Sequence, residues 1–267
     1  MVKKDSLNSI RALLIVIIAI ALIFIALFAY SGIWPPVVII ESSSMQHGSQ
    51  WQYGVINTGD MVIVKKVTSV SDIITYVQGR ETGYKSYGDY GNVIIYTSQS
   101  GMSIIHRAIF YVASWNNTVP EIIGEQKATS FMIIYGEDVI IKDMGFSHRN
   151  LLVNLSPFIG QSGFVTMGDN NLANLPLSYF QGYTVCEAAD ENVGISSSLV
   201  NIHMIEGIAQ GWLPWFGDIK LIVTGNTMYI PSDSYYYLVI SLIILFSIPV
   251  IYDITVGYIK KQKELKK

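Results

Sequence analysis

Three residue types that together can cleave an amide bond occur in chain order: serine at Ser42, Ser43 and Ser44, histidine at His106, and aspartate at Asp169. A serine hydroxyl is a poor nucleophile until a neighbouring base takes its proton. A carboxylate behind that base can fix its tautomer and stabilise its protonated form. The chain has four histidines, His47, His106, His148 and His203, and each has a structural reading beside the chemical one. His106 follows Ser103-Ile104-Ile105 and precedes Arg107-Ala108-Ile109-Phe110, a strand pattern and so a rigid support for a base. His47 lies close to Ser44 on a loop, His148 sits in a polar, exposed stretch, and His203 reads as an ordinary half-buried strand residue. Asp169, in Gly168-Asp169-Asn170-Asn171 after a strand-like run, is either part of a tight turn or the acid that orients the base. Lys65 and Lys66 would allow a Ser–Lys dyad, but neighbours on a strand point to opposite faces, so at most one could reach the serine. No His, Cys and carboxylate cluster stands at ligand spacing, so neither metal nor cofactor is expected.

The elements that must hold these residues begin in a membrane. The 267 residues are 51% hydrophobic with a mean hydropathy of +0.39, too apolar for an ordinary soluble chain and too mixed for a polytopic one. Ala12 to Tyr30 carries no charge, and as helix it rises about 28 Å, close to the hydrocarbon thickness. It is longer than the apolar core of a cleaved signal peptide and lacks a small-x-small end, so it reads as an anchor. A second run, Leu238 to Ile259, is preceded by Tyr235, Tyr236 and Tyr237, whose amphipathic rings favour the membrane interface. Lys3, Lys4 and Arg11 flank the first run; Lys260, Lys261, Lys263, Lys266 and Lys267 follow the second. The positive-inside rule then sets both tails in the cytoplasm. The expected organisation is a tail over 1–11, a span over 12–31, an extracytoplasmic domain over 32–234, a span over 235–259 and a basic tail over 260–267. The central region has 17 acidic against 9 basic side chains, net −8, which argues against a nucleic-acid partner. Cys186 is the single cysteine, so the domain must be held by its core. Asn116 and Asn154 open N-x-S/T sequons, consistent with an outside location.

Strand signals dominate the central region: Val37–Ile40, Met61–Val67, Asn92–Tyr96, Ser103–Val112, Phe131–Tyr135, Val139–Ile141, Gly163–Met167 and Lys220–Val223 are short β-branched or aromatic runs. Gly, Asn, Asp and Ser clusters separate them. The pattern predicts a mainly β domain between two helices, with an inserted part around Asn116 to Asn154.

Taken in order, Ser42-Ser43-Ser44-Met45, Gly59-Asp60-Met61-Val62-Ile63-Val64-Lys65-Lys66, Gly91 to Tyr96 leading to Ile105-His106-Arg107, and Thr166-Met167-Gly168-Asp169-Asn170-Asn171 resemble the successive boxes of type I signal peptidases. Glu206-Gly207-Ile208-Ala209-Gln210-Gly211-Trp212-Leu213-Pro214 resembles that family's last sheet segment, so the likeness spans roughly Val38 to Val223. It implies a signal-peptidase-like β-sheet ectodomain flanked by N- and C-terminal transmembrane helices. Ser44 matches the nucleophile, and Ser42 the hydroxyl that completes the oxyanion hole. His106 stands where archaeal and endoplasmic-reticulum members place a histidine base and bacterial members a lysine. The implied activity is removal of signal peptides from exported preproteins, with the bilayer and the export machinery as further partners. The chain departs from the family at three places: His47 replaces a proline, Met167 replaces a lysine, and Leu175 stands where a second aspartate falls. Asp169 is therefore the expected third catalytic residue and Asp190 the alternative. The missing proline and second aspartate support a rival reading, an inactive signal-peptidase-like structural or assembly subunit.

Overall fold

Long apolar helices stand at both ends of the chain, and a curled antiparallel sheet lies between them. The structure is a computed structural model that describes residues 2–265. Met1, Lys266 and Lys267 of the expected tails lie outside the described residues, as do the side chains of residues 2–13, Val250, Asp253, Lys260, Lys261 and 263–265. In chain order the elements are α1 (Val2–Ser31), β1 (Val37–Ile39), β2 (Met61–Lys65), α2 (Tyr76–Thr82), β3 (Lys85–Ser86), β4 (Asp89–Tyr90), β5 (Val93–Thr97), β6 (Ser103–Asn116) and β7 (Val119–Ile122). There follow β8 (Met132–Tyr135), β9 (Asp138–Met144), β10 (Arg149–Asn154), β11 (Gly163–Met167) and α3 (Asp169–Asn174). The chain ends with β12 (Ser178–Phe180), β13 (Tyr183–Val185), β14 (Ile205–Leu213), α4 (Asp218–Thr224) and α5 (Ser234–Leu265).

Both α1 and α5 are long and apolar enough to cross a membrane,. Each is fastened where it meets the domain. Ser31, at the end of α1, is buried and donates Oγ–H to Val64 O at 2.5 Å, while Trp34 packs on Phe24 and Phe28. At the start of α5, Ser234 Oγ donates to Asp218 Oδ2 at 2.5 Å and Trp215 Nε1 to Ser241 Oγ at 2.8 Å.

The main sheet runs β1-β2-β14-β5-β6-β11, with β7 beside the far half of β6. Alternation of β-branched and apolar residues buries both its faces. Val93, Ile95 and Ile105 join Met45, Val62 and Val64 on one side; Ile94, Tyr96 and Ala108 join Phe164 and Ile208 on the other. The register sets Ile94 opposite His106 and Val93 opposite Arg107. His106 and Arg107 therefore project from opposite faces. Of the expected insertion, β7 joins the main sheet and β8 to β10 form a separate three-stranded sheet, β10-β9-β8, which shares one core with the main sheet: Val139, Ile141, Leu151 and Val153 pack with Ile109, Phe110 and Val165.

One expected strand is a helix. Lys220–Val223 lies inside α4, which ends on Gly225 in the left-handed conformation at φ 80°,. A four-residue apolar run has no period long enough to separate strand from helix. Here only Leu221 of that run is buried, while Ile222 and Val223 remain exposed.

Candidate active site

The serine loop after β1 is held from three directions. Met45 is buried in the core beneath it. Thr58 Oγ1 donates to Ser42 O at 2.9 Å. From α3, Asn170 Nδ2 donates to Ser43 O at 3.0 Å and Asn170 N to Ser44 O at 2.8 Å. The turn that joins β11 to α3 thus grips the backbone of the candidate nucleophile. Gly168, in that turn, has no room for a side chain. A Cβ there would stand 2.8 Å from His106 Nε2, 3.0 Å from Ser44 Cβ and 2.7 Å from Ser44 O. Ser44 Cβ and His106 Nε2 are therefore separated by no more than the sum of the first two distances. In the resting arrangement Ser44 Oγ lies 3.2 Å from Ser42 Oγ.

Behind His106 stands Asp190. His106 Nδ1 is 2.6 Å from Asp190 Oδ2, and both side chains are buried. That contact assigns the ring proton to Nδ1 and leaves Nε2, on the Ser44 side, free to accept. The same carboxylate oxygen accepts from Tyr96 O–H at 2.9 Å and Thr166 Oγ1–H at 2.7 Å. Asp190 N donates to Thr166 O at 2.8 Å, and the N–H groups of Ile195 and Ser196 donate to Asp190 O. Next to it, Glu191 is also buried and accepts from Thr166 N–H at 3.2 Å. Burial first, and then the Asp190 charge beside it, push Glu191 well above the usual carboxylate range.

Asp169 does not reach His106, contrary to the expectation from sequence. Its carboxylate pairs with Arg107, through Nε to Oδ1 at 2.8 Å and Nη2 to Oδ2 at 2.6 Å, and with His47 Nε2 at 3.0 Å. The cause is the alternation along β6: Asp169 follows Met167, which registers with Arg107, and so it meets the face that carries Arg107. Arg107 is fully buried, and its Nη1 also donates to the carbonyls of Ser86, Tyr90 and Gly91. Burial opposes the Asp169 charge, but the guanidinium, with His47, overrides it and holds the carboxyl at about 2. His47, Asp169 and Arg107 each adjoin a site residue or its segment, so this buried network ties together the three segments that form the site. The departure at His47 is part of that tie.

The remaining candidates lie elsewhere. His148 is exposed and bonds Asp143 at 2.8 Å. His203 is exposed in a 3-10 turn rather than on a strand. Lys65 is exposed and reaches over the Tyr30 ring. Among the described residues no group of His, Cys, Asp and Glu is arranged to hold a metal ion. Tyr96, Thr166, Gly168 and Glu191 were not foreseen; they carry no spacing signal of their own, and only their packing around His106 and Asp190 marks them.

Ser42, Ser44 and His106 open onto a cleft of about 720 Å³. The curled sheet brings Val37–Ile40 along one wall and Met102–Ile105 along the other. Both walls are strand edges. β1 is the last strand of its sheet, and Ser103–Ile105 of β6 pair with β5 alone, because β11 pairing starts at Arg107. An extended peptide chain can hydrogen-bond to such edges on either side. No family model, curated protein or solved structure matches the chain.

Proposed function

We propose that the chain is a membrane-anchored serine endopeptidase of the type I signal-peptidase kind, which removes signal peptides from exported preproteins at the outer membrane face. The observation that carries this reading is the line Ser44, Gly168, His106, Asp190: Ser44 Cβ and His106 Nε2 lie on the same side-chain-free glycine, with Asp190 on the other ring nitrogen. In the proposed reaction an extended segment of the preprotein adds between the two strand edges of the cleft. Ser44 Oγ attacks the scissile carbonyl carbon while His106 Nε2 takes its proton. The imidazolium so formed is stabilised by Asp190 through Nδ1–H.

The oxyanion has two donors at hand. Ser44 N–H has no acceptor among the described backbone hydrogen bonds, and the Ser42 hydroxyl is released when Ser44 Oγ leaves it. Each such donor contributes about 2.7–4 kcal/mol to a transition state of this type. Collapse of the tetrahedral intermediate passes the proton from Nε2 to the leaving amine and leaves the signal peptide as an ester on Ser44. A water then enters, gives its proton to His106, and hydrolyses the ester. The two apolar helices support a two-span anchor, the Lys and Arg beyond them support a cytoplasmic side for both termini, and tethering confines enzyme and membrane-bound substrate to one surface.

Ser44→Ala and His106→Ala should each abolish cleavage of a preprotein bearing a small-x-small site, read by product mass, with circular dichroism unchanged. Normal cleavage by Ser44→Ala would sink the reading. The resting contact of Ser44 with Ser42 favours the rival, an inactive assembly subunit; turnover by the purified wild-type chain decides between them.

A further inference from the structure

We propose that Asn116, and not Asn154, is a site of N-linked glycosylation, so that the folded chain carries its glycan at the tip of the β6–β7 hairpin. Both residues open an acceptor triplet, Asn116-Asn117-Thr118 and Asn154-Leu155-Ser156,. Their surroundings differ. Asn116 pairs with Val119 across a two-residue turn, and Asn116, Asn117, Thr118 and Val119 are all exposed. Asn117 takes a positive φ of 57°, as asparagine does readily in such turns. Neither the Asn116 amide nor the Thr118 hydroxyl has a partner among the described side-chain hydrogen bonds, so the acceptor nitrogen stands open to a transferase.

Asn154 is held through its backbone and its Oδ1. Its Oδ1 accepts from Ser156 N at 3.0 Å and from Ser156 Oγ at 2.6 Å. Its backbone N–H and C=O are both bonded to the Asn192 side chain. Leu155, the middle residue of the triplet, is fully buried. With Leu155 buried and Ser156 bonded to Asn154 Oδ1, this triplet is less open to a transferase in the folded chain than the exposed one at Asn116.

The reaction needs a lipid-diphosphate-linked oligosaccharide and a membrane oligosaccharyltransferase as co-reactants. The Asn116 amide nitrogen attacks the anomeric carbon, forms the C–N bond and gives up one proton; the carbon–oxygen bond to the diphosphate breaks, and the lipid diphosphate leaves. His106 and Asn116 stand ten residues apart on one strand, roughly 33 Å if fully extended, so the glycan lies clear of the cleft. The proposal does not depend on the peptidase reading.

The test is to translate the full chain with endoplasmic-reticulum microsomes, which supply transferase and donor, beside a control glycoprotein in the same reaction. The protease-resistant, membrane-embedded product is then weighed before and after peptide-N-glycosidase. One glycan is expected, lost in Asn116→Gln and in Thr118→Ala and kept in Asn154→Gln. Thr118→Ala retains Asn116, so loss in both variants reports the triplet rather than misfolding. An unmodified product beside a modified control overturns the proposal, and so does a glycan that survives Asn116→Gln.

Discussion

Two aspartates near the site have opposite duties, and single substitutions separate them. Asp190 touches the candidate base, so Asp190→Asn should leave the fold intact while kcat falls on the order of 10⁴-fold, the loss seen when the orienting acid of a triad becomes neutral. Asp169 instead neutralises the buried Arg107 guanidinium. Removing one partner of such a pair costs about 3–5 kcal/mol, so Asp169→Ala should appear first as a lower midpoint in denaturant. Its pH signature has a definite sign. The Asp169 carboxyl sits at about 2 in the fold against about 3.9 in an unfolded chain. Its stabilisation is therefore fully present above roughly pH 4 and is lost as pH falls through about 2. Denaturation curves across that acid range should lose this limb in the variant. If Asp190→Asn turned over at the wild-type rate, the geometric pairing of His106 with Asp190 would have no catalytic meaning.

Among the elements, β1 and α4 carry the functional consequences. Pro36 O and Ile40 N both bond inward to β2 and its neighbour Asp60, so the N–H groups of Val37 and Ile39 point to the open side of β1. Ile39→Pro removes one outward donor while sparing the β2 ladder. A substrate that adds as a strand should then show a raised KM, whereas Ile39→Val should behave as wild type; an unchanged KM in the proline variant would exclude pairing along this edge. At the other end of the site, α4 holds α5 through Asp218, which packs against Gly59, where a Cβ would stand 1.6 Å from its Oδ1. Burial is the main reason the Asp218 carboxyl is raised to about 6. The fold therefore holds a proton that the unfolded chain has lost between about pH 4 and 6, and stability should fall as pH rises through that window. Melting curves in detergent micelles should show this slope in the wild type and lose it in Asp218→Asn.

At the scale of the whole molecule, two helices apolar enough to span a bilayer and an acidic region between them define one geometric requirement. If both helices cross, the termini share one side and the sheet lies on the other. Sealed vesicles carrying a tag at each end should protect both tags from added protease while the central region is cut, or the reverse, according to which face is outward. Digestion of one tag with protection of the other would rule out two spans. The cleft opens near the first span, since Pro35 lines it together with Val37 and Ser42, and Trp34 packs against α1.

Much of this was legible in the residues themselves. Uncharged runs of bilayer length mark α1 and α5, because every backbone polar group must be satisfied within a helix there. Short β-branched runs mark β1, β2, β5, β6 and β11, because period-two burial is a local property. Lys220–Val223 was misread because a short apolar run has no period of its own. Asp190 was legible only as the alternative to Asp169, for a deeper cause. Asp169 has the stronger sequence context, yet alternation along β6 turns His106 and Arg107 to opposite faces, and Asp169 lies on the side of Arg107. Asp190, in a loop with no pattern, is carried to His106 by backbone pairing with Thr166. Local periodicity determines what each segment becomes; the pairing of distant strands alone decides which carboxylate meets the imidazole.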